Sequence, residues 1–232
     1  MDLAFPKLLA ACSARVAVVL ILAIGGSALV PNHARATEAA ATQAADQPTL
    51  RQGDRGKAVL RLQRRLTTLR YWLGAADGSF GPATAQAVMA FQKVNGLEPD
   101  TVVGNATWSA LAAPRRPGTQ SRSGLVIEIS RQKQVLLRVR DGHVLRILNT
   151  STGKEGMATP LGRFRIFRHV DGWRHAPLGS LYRPKYFNEG IAIHGAQEVP
   201  AYPASHGCAR VTNGAMDWLF DRAPIGTRVW VY

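Results

Sequence analysis

The apolar residues of this chain change period once, and the change falls across a stretch that can carry neither pattern. Before it, Val59, Leu62, Leu66 and Leu69 recur at spacings of three and four, the one-faced repeat of an amphipathic helix. After it, Leu125-Val126-Ile127-Glu128-Ile129 and Val135-Leu136-Leu137-Arg138-Val139 are short β-prone runs. Residues 114–122 lie between them and combine Pro114, Pro117 and Gly118 with Arg115, Arg116, Ser121 and Arg122, a stretch that neither extends a helix nor buries itself. The chain is therefore expected to hold a helical unit over 50–113 and a mainly β unit over 123–232, joined by a linker over 114–122.

In the helical unit a turn at Asp77-Gly78-Ser79-Phe80-Gly81 precedes a second helix. Pro82 suits its first position, Val88 and Phe91 continue its apolar face, and Asn95-Gly96 stops it. Asn105 is expected to cap a last short helix bearing Trp108 and Leu111. So short a segment is a small basis for an independent core, and three helices packed on one another are the economical solution.

In the β unit, Asp141-Gly142 is a hairpin signal between the second run and Val144 to Leu148, so three antiparallel strands are expected first. Residues 163–167, 190–194 and 228–232 are further strand candidates, with one helix around 213–222. The balance points to a closed or sandwiched sheet.

The N-terminus reads as an export signal. Lys7 and Arg15 precede the apolar run Val16 to Val30, and Ala34-Arg35-Ala36 supplies a small-residue cleavage pattern. Removal of residues 1–36 leaves a polar spacer over 37–49, and membrane attachment is expected only if the signal is retained. The formal charge is +14, but Lys and Arg are scattered along the chain, and export argues against a nucleic-acid partner. An anionic cell envelope is the better fit to that charge.

Two cysteines are present, and Cys12 leaves with the signal. The mature chain then keeps a single thiol, Cys208, and no internal disulfide can form. Cys208 lies in Ser205-His206-Gly207-Cys208, a turn-like segment expected to expose the thiol. A thiol becomes a useful nucleophile as the thiolate, which a nearby imidazole or helix N-terminus favours by lowering its pKa. His206 shares the loop, whereas His194 ends the strand candidate Gly190-Ile191-Ala192-Ile193 and is the favoured general base. Gly207 lets the backbone N–H groups of Gly207 and Cys208 approach a developing oxyanion. Arg210 carries a permanent charge suited to a peptide carboxylate or carbonyl. One Cys and two His lack the paired spacings and the fourth ligand of a zinc site, so neither a metal nor another cofactor is expected. Tyr182, Tyr186 and Phe187 are read as packing residues, and His143, His169 and His175 as structural or solvated ones.

Two resemblances accompany these readings. Leu50-Arg51-Gln52-Gly53-Asp54, Leu62-Gln63-Arg64-Arg65-Leu66, Asp77-Gly78-Ser79-Phe80-Gly81, Ala90-Phe91-Gln92 and Gly96-Leu97 resemble the three-helix peptidoglycan-binding module of many wall enzymes. Ser151-Thr152-Gly153-Lys154, Thr159-Pro160-Leu161-Gly162-Arg163-Phe164, Ile193-His194-Gly195 and Ser205-His206-Gly207-Cys208-Ala209-Arg210 together resemble the catalytic domain of L,D-transpeptidases. The second resemblance implies Cys208 as the acylated nucleophile, His194 as base and the Gly195 carbonyl as the group that orients its ring. Ser205, His206 and Gly207 carry over as motif residues around the site.

It further implies stem peptides and glycan of peptidoglycan as partners, a three-to-three crosslink as product, and carbapenems as covalent inhibitors. Hydrolysis of stem peptides is the nearest alternative, and a non-catalytic wall-binding protein is the alternative from another class. Only residues 195–204 separate His194 from Ser205, fewer than in mycobacterial-type members, so a short lid loop is expected. Arg210 stands where those members have asparagine.

Overall fold

In the computed structural model, which describes residues 47–232, the expected helical period is realised in α1 (Lys57–Thr68), α2 (Pro82–Asn95) and α3 (Asn105–Ala112). Val59, Leu62 and Leu66 of α1 are fully buried and pack with Val88 and Phe91 of α2. Pro82 opens α2, and Gly96 closes it at φ 73° in the left-handed conformation, with the Leu97 N–H bonded to Gln92 O at 2.9 Å. Asn105 does not cap α3. It is the first residue inside the helix, and Gly104 occupies the capping position without a side-chain hydrogen bond. The export signal and most of the spacer lie outside the described residues.

Two buried glutamines explain the motifs of this half. Gln63 Nε2 has its two protons among three acceptors within 3.0 Å, Asp77 Oδ1, Ser79 O and Thr84 Oγ1, while its Oε1 accepts the Gly78 N–H, so one side chain ties down the turn into α2. Gln92 does the same for the following loop, donating to Asp100 Oδ1 and Val102 O and accepting from Thr101 N.

The remainder forms ten strands and one helix: β1 (Leu125–Ser130), β2 (Val135–Arg140), β3 (His143–Asn149), β4 (Gly162–Arg165), β5 (Arg168–His169), β6 (Trp173–Ala176), β7 (Gly179–Asn188), β8 (Ile191–Ala196), β9 (Ala209–Thr212), α4 (Asn213–Phe220) and β10 (Arg228–Val231). One sheet runs β3-β2-β1-β10-β4, with β1 and β10 parallel. The other runs β5-β7-β8-β9, with β6 also on β7 and with β8 and β9 parallel. Asp141 and Gly142, at φ 49° and 78°, make the tight β2–β3 turn.

The sheets face each other across a core in which Ile127, Ile129, Leu136 and Val229 meet Phe187, Ile193, Val211 and, from α4, Met216 and Leu219. On the opposite face of the first sheet, Val135, Leu137, Val139 and Ile147 join the apolar cluster of the three helices. That double cover explains why β2 reads as a continuous apolar run and not as an alternation.

The helical unit is thus packed onto the sheet, not merely tethered by the linker. Trp72 N–H donates to Ile147 O and Ile147 N–H to Arg70 O, which covers the β3 edge. Residues 114–122, expected to stay unburied, end in a buried anchor: Ser121 is fully buried, and its N–H and Oγ bond the buried Glu128 carboxylate, which also accepts the Gln120 N–H. A buried carboxylate must be saturated, and these polar groups of the linker saturate it.

Candidate active site

Side chains two residues apart on a strand share a face, and this sets the site. The parallel register of β8 and β9 matches Ile193 with Ala209, His194 with Arg210 and Gly195 with Val211. Ile193, Ala209 and Val211 point into the core between the sheets, so His194 and Arg210 turn to the other face. Cys208, immediately before β9, joins that face beside Ala192, whose N–H approaches Sγ at 3.4 Å. His194, Ser205, His206, Cys208 and Arg210 line one cavity of about 950 Å³.

Each expected residue has a definite place in this arrangement. His194 is 6% exposed and His206 exposed at the rim, so the two candidate bases differ sharply in burial. The His194 Nδ1 lies 2.8 Å from Gly195 O. A carbonyl only accepts, so Nδ1 carries the proton and Nε2 keeps its lone pair. Burial pushes the His194 pKa down to about 4, against the upward pull of that carbonyl and with a further downward push from Arg210.

Gly195 admits no side chain, because a Cβ would fall 2.6 Å from Asn213 Oδ1 and 2.8 Å from Tyr182 Cδ1. Tyr182 therefore packs behind the site, while Tyr186 and Phe187 are core residues.

The thiol departs from expectation in two respects. It is half-buried, not exposed, because it sits where the turn enters β9. Burial raises its pKa above the ordinary thiol value, with the Ala192 N–H and Arg210 pulling the other way. Both shifts favour the uncharged forms, the thiol and the neutral imidazole. Of the two backbone donors expected for an oxyanion, the Gly207 N–H is already engaged by Ser205 Oγ at 3.2 Å. Ser205 Oγ in turn donates to Cys208 O at 2.6 Å, so this residue shapes the turn, and Gly207 closes it at φ 111°.

The Ser151-Thr152-Gly153-Lys154 motif lies along the free edge of β9. Ser151 exchanges backbone bonds with Arg210, Thr152 O accepts the N–H groups of Ala204 and Ser205, and Lys154 N–H donates to Ser205 O. A Cβ on Gly153 would fall 2.0 Å from Met157 O, and the Gly153 N–H is held by Thr159 Oγ1, which ties the two motifs together.

Sequence reasoning missed the cavity's other wall. β6 and β7 form a hairpin that brings Trp173, His175, Leu178 and Leu181 to the cavity, with Gln197 beyond them. His175, read as solvated or structural, lies in this wall with Nδ1 2.8 Å from Ser180 Oγ. The Pro177-Leu178-Gly179 turn was the available signal. Among the described residues no three His, Cys, Asp or Glu side chains gather in metal-binding fashion.

Comparison with known proteins agrees with this architecture. The YkuD family, described as the L,D-transpeptidase catalytic domain, matches residues 124–231, and a peptidoglycan-binding domain family matches residues 55–111. A crystal structure of the L,D-transpeptidase from Xylanimonas cellulosilytica is 48% identical, with a TM-score of 0.76 over 79% of this chain and 97% of its own. The L,D-transpeptidase from Stackebrandtia nassauensis shares the fold at 23% identity and a TM-score of 0.50, over 79% of this chain and 94% of its own. An uncharacterised protein of Kitasatospora aureofaciens is 38% identical over 111 residues, 46% of this chain and 94% of its own length. The chain belongs to the L,D-transpeptidase family, with a peptidoglycan-binding domain preceding the catalytic one.

Proposed function

We propose that this protein is a wall-associated acyltransferase that forms three-to-three crosslinks between peptidoglycan stem peptides through a thioester on Cys208. The observation that carries the reading is the pairing of β8 with β9. It puts His194 and Cys208 on one face, in one cavity, with the His194 Nε2 lone pair left free by the bond from Nδ1 to Gly195 O.

Cys208 Sγ attacks the carbonyl of the third stem residue as its proton passes to His194 Nε2. The tetrahedral oxyanion is met by the Cys208 N–H, the donor that the turn does not spend on Ser205. Collapse breaks the C–N bond, and His194 returns the proton to the departing amine of the terminal D-residue. An acceptor amine then attacks the thioester, loses its proton to His194, and expels the thiol. A buried neutral imidazole suits both half-reactions, since it begins each with Nε2 free to accept a proton and, once protonated, returns it to the leaving group.

Arg210, half-buried beside His194, is placed to receive a substrate carboxylate or carbonyl. Residues 1–36 are read as the export signal, and location at the wall follows from both domains. Carbapenems are expected to acylate Cys208, which intact mass would register.

The test is mass spectrometry of products from residues 37–232 with disaccharide-tetrapeptide, beside the Cys208→Ala protein. A crosslinked dimer lacking one terminal D-residue, absent with the variant, is the expected result. Tripeptide without dimer would make the protein a hydrolase, and the absence of any Cys208-dependent product would end the reading.

A further inference from the structure

The face of α2 that meets the catalytic domain carries Gln86 and Lys93, seven residues apart and so on one side of the helix. Lys93 Nζ donates to Asn149 Oδ1 at 2.5 Å, Gln134 O at 3.1 Å and Thr150 O at 3.4 Å. An ammonium has three protons, and here each has an uncharged acceptor on the strand ends of the first sheet. Asn149, 5% exposed, passes the contact on: its Nδ2 donates to Gln86 Oε1 at 2.6 Å and to Val199 O at 3.1 Å. Gln86 Nε2 also approaches Val199 O, at 3.3 Å.

Val199 belongs to the segment between β8 and the turn that bears Cys208, and Gln197 of the same segment lines the cavity. A second route starts from Gln134, whose backbone carbonyl holds Lys93. Its side chain clamps Thr152, accepting the Thr152 N–H at 2.8 Å and donating to Thr152 Oγ1 at 2.7 Å. Thr152 O then accepts the N–H groups of Ala204 and Ser205, and Ser205 Oγ bonds Cys208 O. Both routes end on the segment that presents the thiol, one at its start and one at its end.

An apolar side chain at position 93 would cover the same surface without desolvating a charge, but it would fix no register. Burial pushes the Lys93 pKa down to about 7, which marks the desolvation penalty that a charge at this position carries.

We propose that Gln86 and Lys93 of the peptidoglycan-binding domain are positioning residues for acyl transfer, holding residues 197–205 in the register that sets Cys208 against His194. The wall-binding domain is then a structural part of the active site's support, and not only a tether. This inference rests on the acyl-transfer reading above, and its test separates the two.

The full chain and its Lys93→Met and Gln86→Leu variants are compared for kcat and KM with disaccharide-tetrapeptide, for the rate of Cys208 alkylation by iodoacetamide, for sedimentation with purified wall, and for thermal midpoint. Misplacing a reacting group by a fraction of an ångström costs roughly tenfold in rate. Lys93→Met is therefore expected to lower kcat by about tenfold, with KM within about twofold, wall sedimentation unchanged and the alkylation rate shifted. Gln86→Leu, which removes a weaker bond at a half-buried site, should show the same pattern to a smaller degree and stands in if Lys93→Met fails to fold. An unchanged kcat per alkylatable thiol, with only a lower midpoint, would reduce the contact to a structural clasp and overturn the proposal. If the wild-type chain yields no Cys208-dependent product, the acyl-transfer reading fails by itself. The alkylation rates then decide the positioning claim, and equal rates in all three proteins would overturn it.

Discussion

In the first sheet, β2 buries Leu136 on one face and Val135, Leu137 and Val139 on the other, whereas in the second sheet β8 and β9 bury Ile193, Ala209 and Val211 and turn His194, Cys208 and Arg210 toward a cavity. At β2 and β3 the first sheet is a middle layer, covered by helices behind and by the second sheet in front. There it gains from apolar contact on both sides and has no surface left for chemistry. The second sheet gives up one face, and the polar groups on it must find partners nearby. They find them in the Gly195 carbonyl, the Ala192 N–H and the edge segment Ser151–Thr152. One sheet supplies rigidity, and the other uses it to hold a thiol and an imidazole in a fixed relation.

Replacing the thiol should produce the largest separation of the two roles. Cys208→Ala is expected to lower turnover by at least about 10³-fold with the thermal midpoint little changed, since the lost group makes no packing contribution that alanine cannot nearly match. Turnover within about tenfold of the wild type would put the nucleophile elsewhere. His194→Gln should lower kcat by roughly 10²-fold, the usual contribution of one positioned acid–base group, and leave the fold in place.

The converse change belongs to the first sheet. Leu136→Ala, at a fully buried site, should cost about 2–5 kcal/mol in urea unfolding while kcat per alkylatable thiol stays within about twofold. A fall in kcat as large as the fall in stability would mean that the sheets are not separable in this way.

A smaller effect concerns acid. The unfolded His194 takes a proton near 6.5 and the folded one near 4, so stability contributed by the neutral buried ring is lost as pH falls through that window, about 3 kcal/mol by its lower end. Urea unfolding at pH 7 and pH 4.5 should therefore show a steeper acid loss in the wild type than in His194→Gln. Equal losses would mean that the ring is not buried neutral.

The same contrast decided what could be read from the residues alone. α1, α2 and the hairpin of β2 and β3 are visible in apolar spacing and in Asp141-Gly142, because their burial is regular and their turns are made by local chemistry. β7 was not visible: Pro184 interrupts it, Arg183 sits at φ 50°, and its pairing with β8 shifts register between Tyr182 and Lys185. β9 has only four residues and begins at the turn that carries the thiol, so its strand character comes from β8 and not from its own pattern.

The site itself was legible through Cys208, His194 and their neighbours, since a thiol near two histidines in sequence is chemically conspicuous. The cavity wall at Trp173 and Leu178 was not, because exposed residues of a cleft carry no periodic signature. Nor was the seat of the helical unit on the first sheet, which depends on Ile147 and Val135 meeting a surface distant in sequence.

The central claim is that the chemistry passes through a thioester on Cys208. The most direct measurement is acid quenching of the full chain with disaccharide-tetrapeptide in the absence of an acceptor, followed by proteolysis and mass mapping. The account predicts a tripeptide acyl mass on the fragment containing Cys208, released by hydroxylamine and missing from Cys208→Ala. A wild-type chain that turns over the same substrate without any acyl mass on that fragment would contradict it.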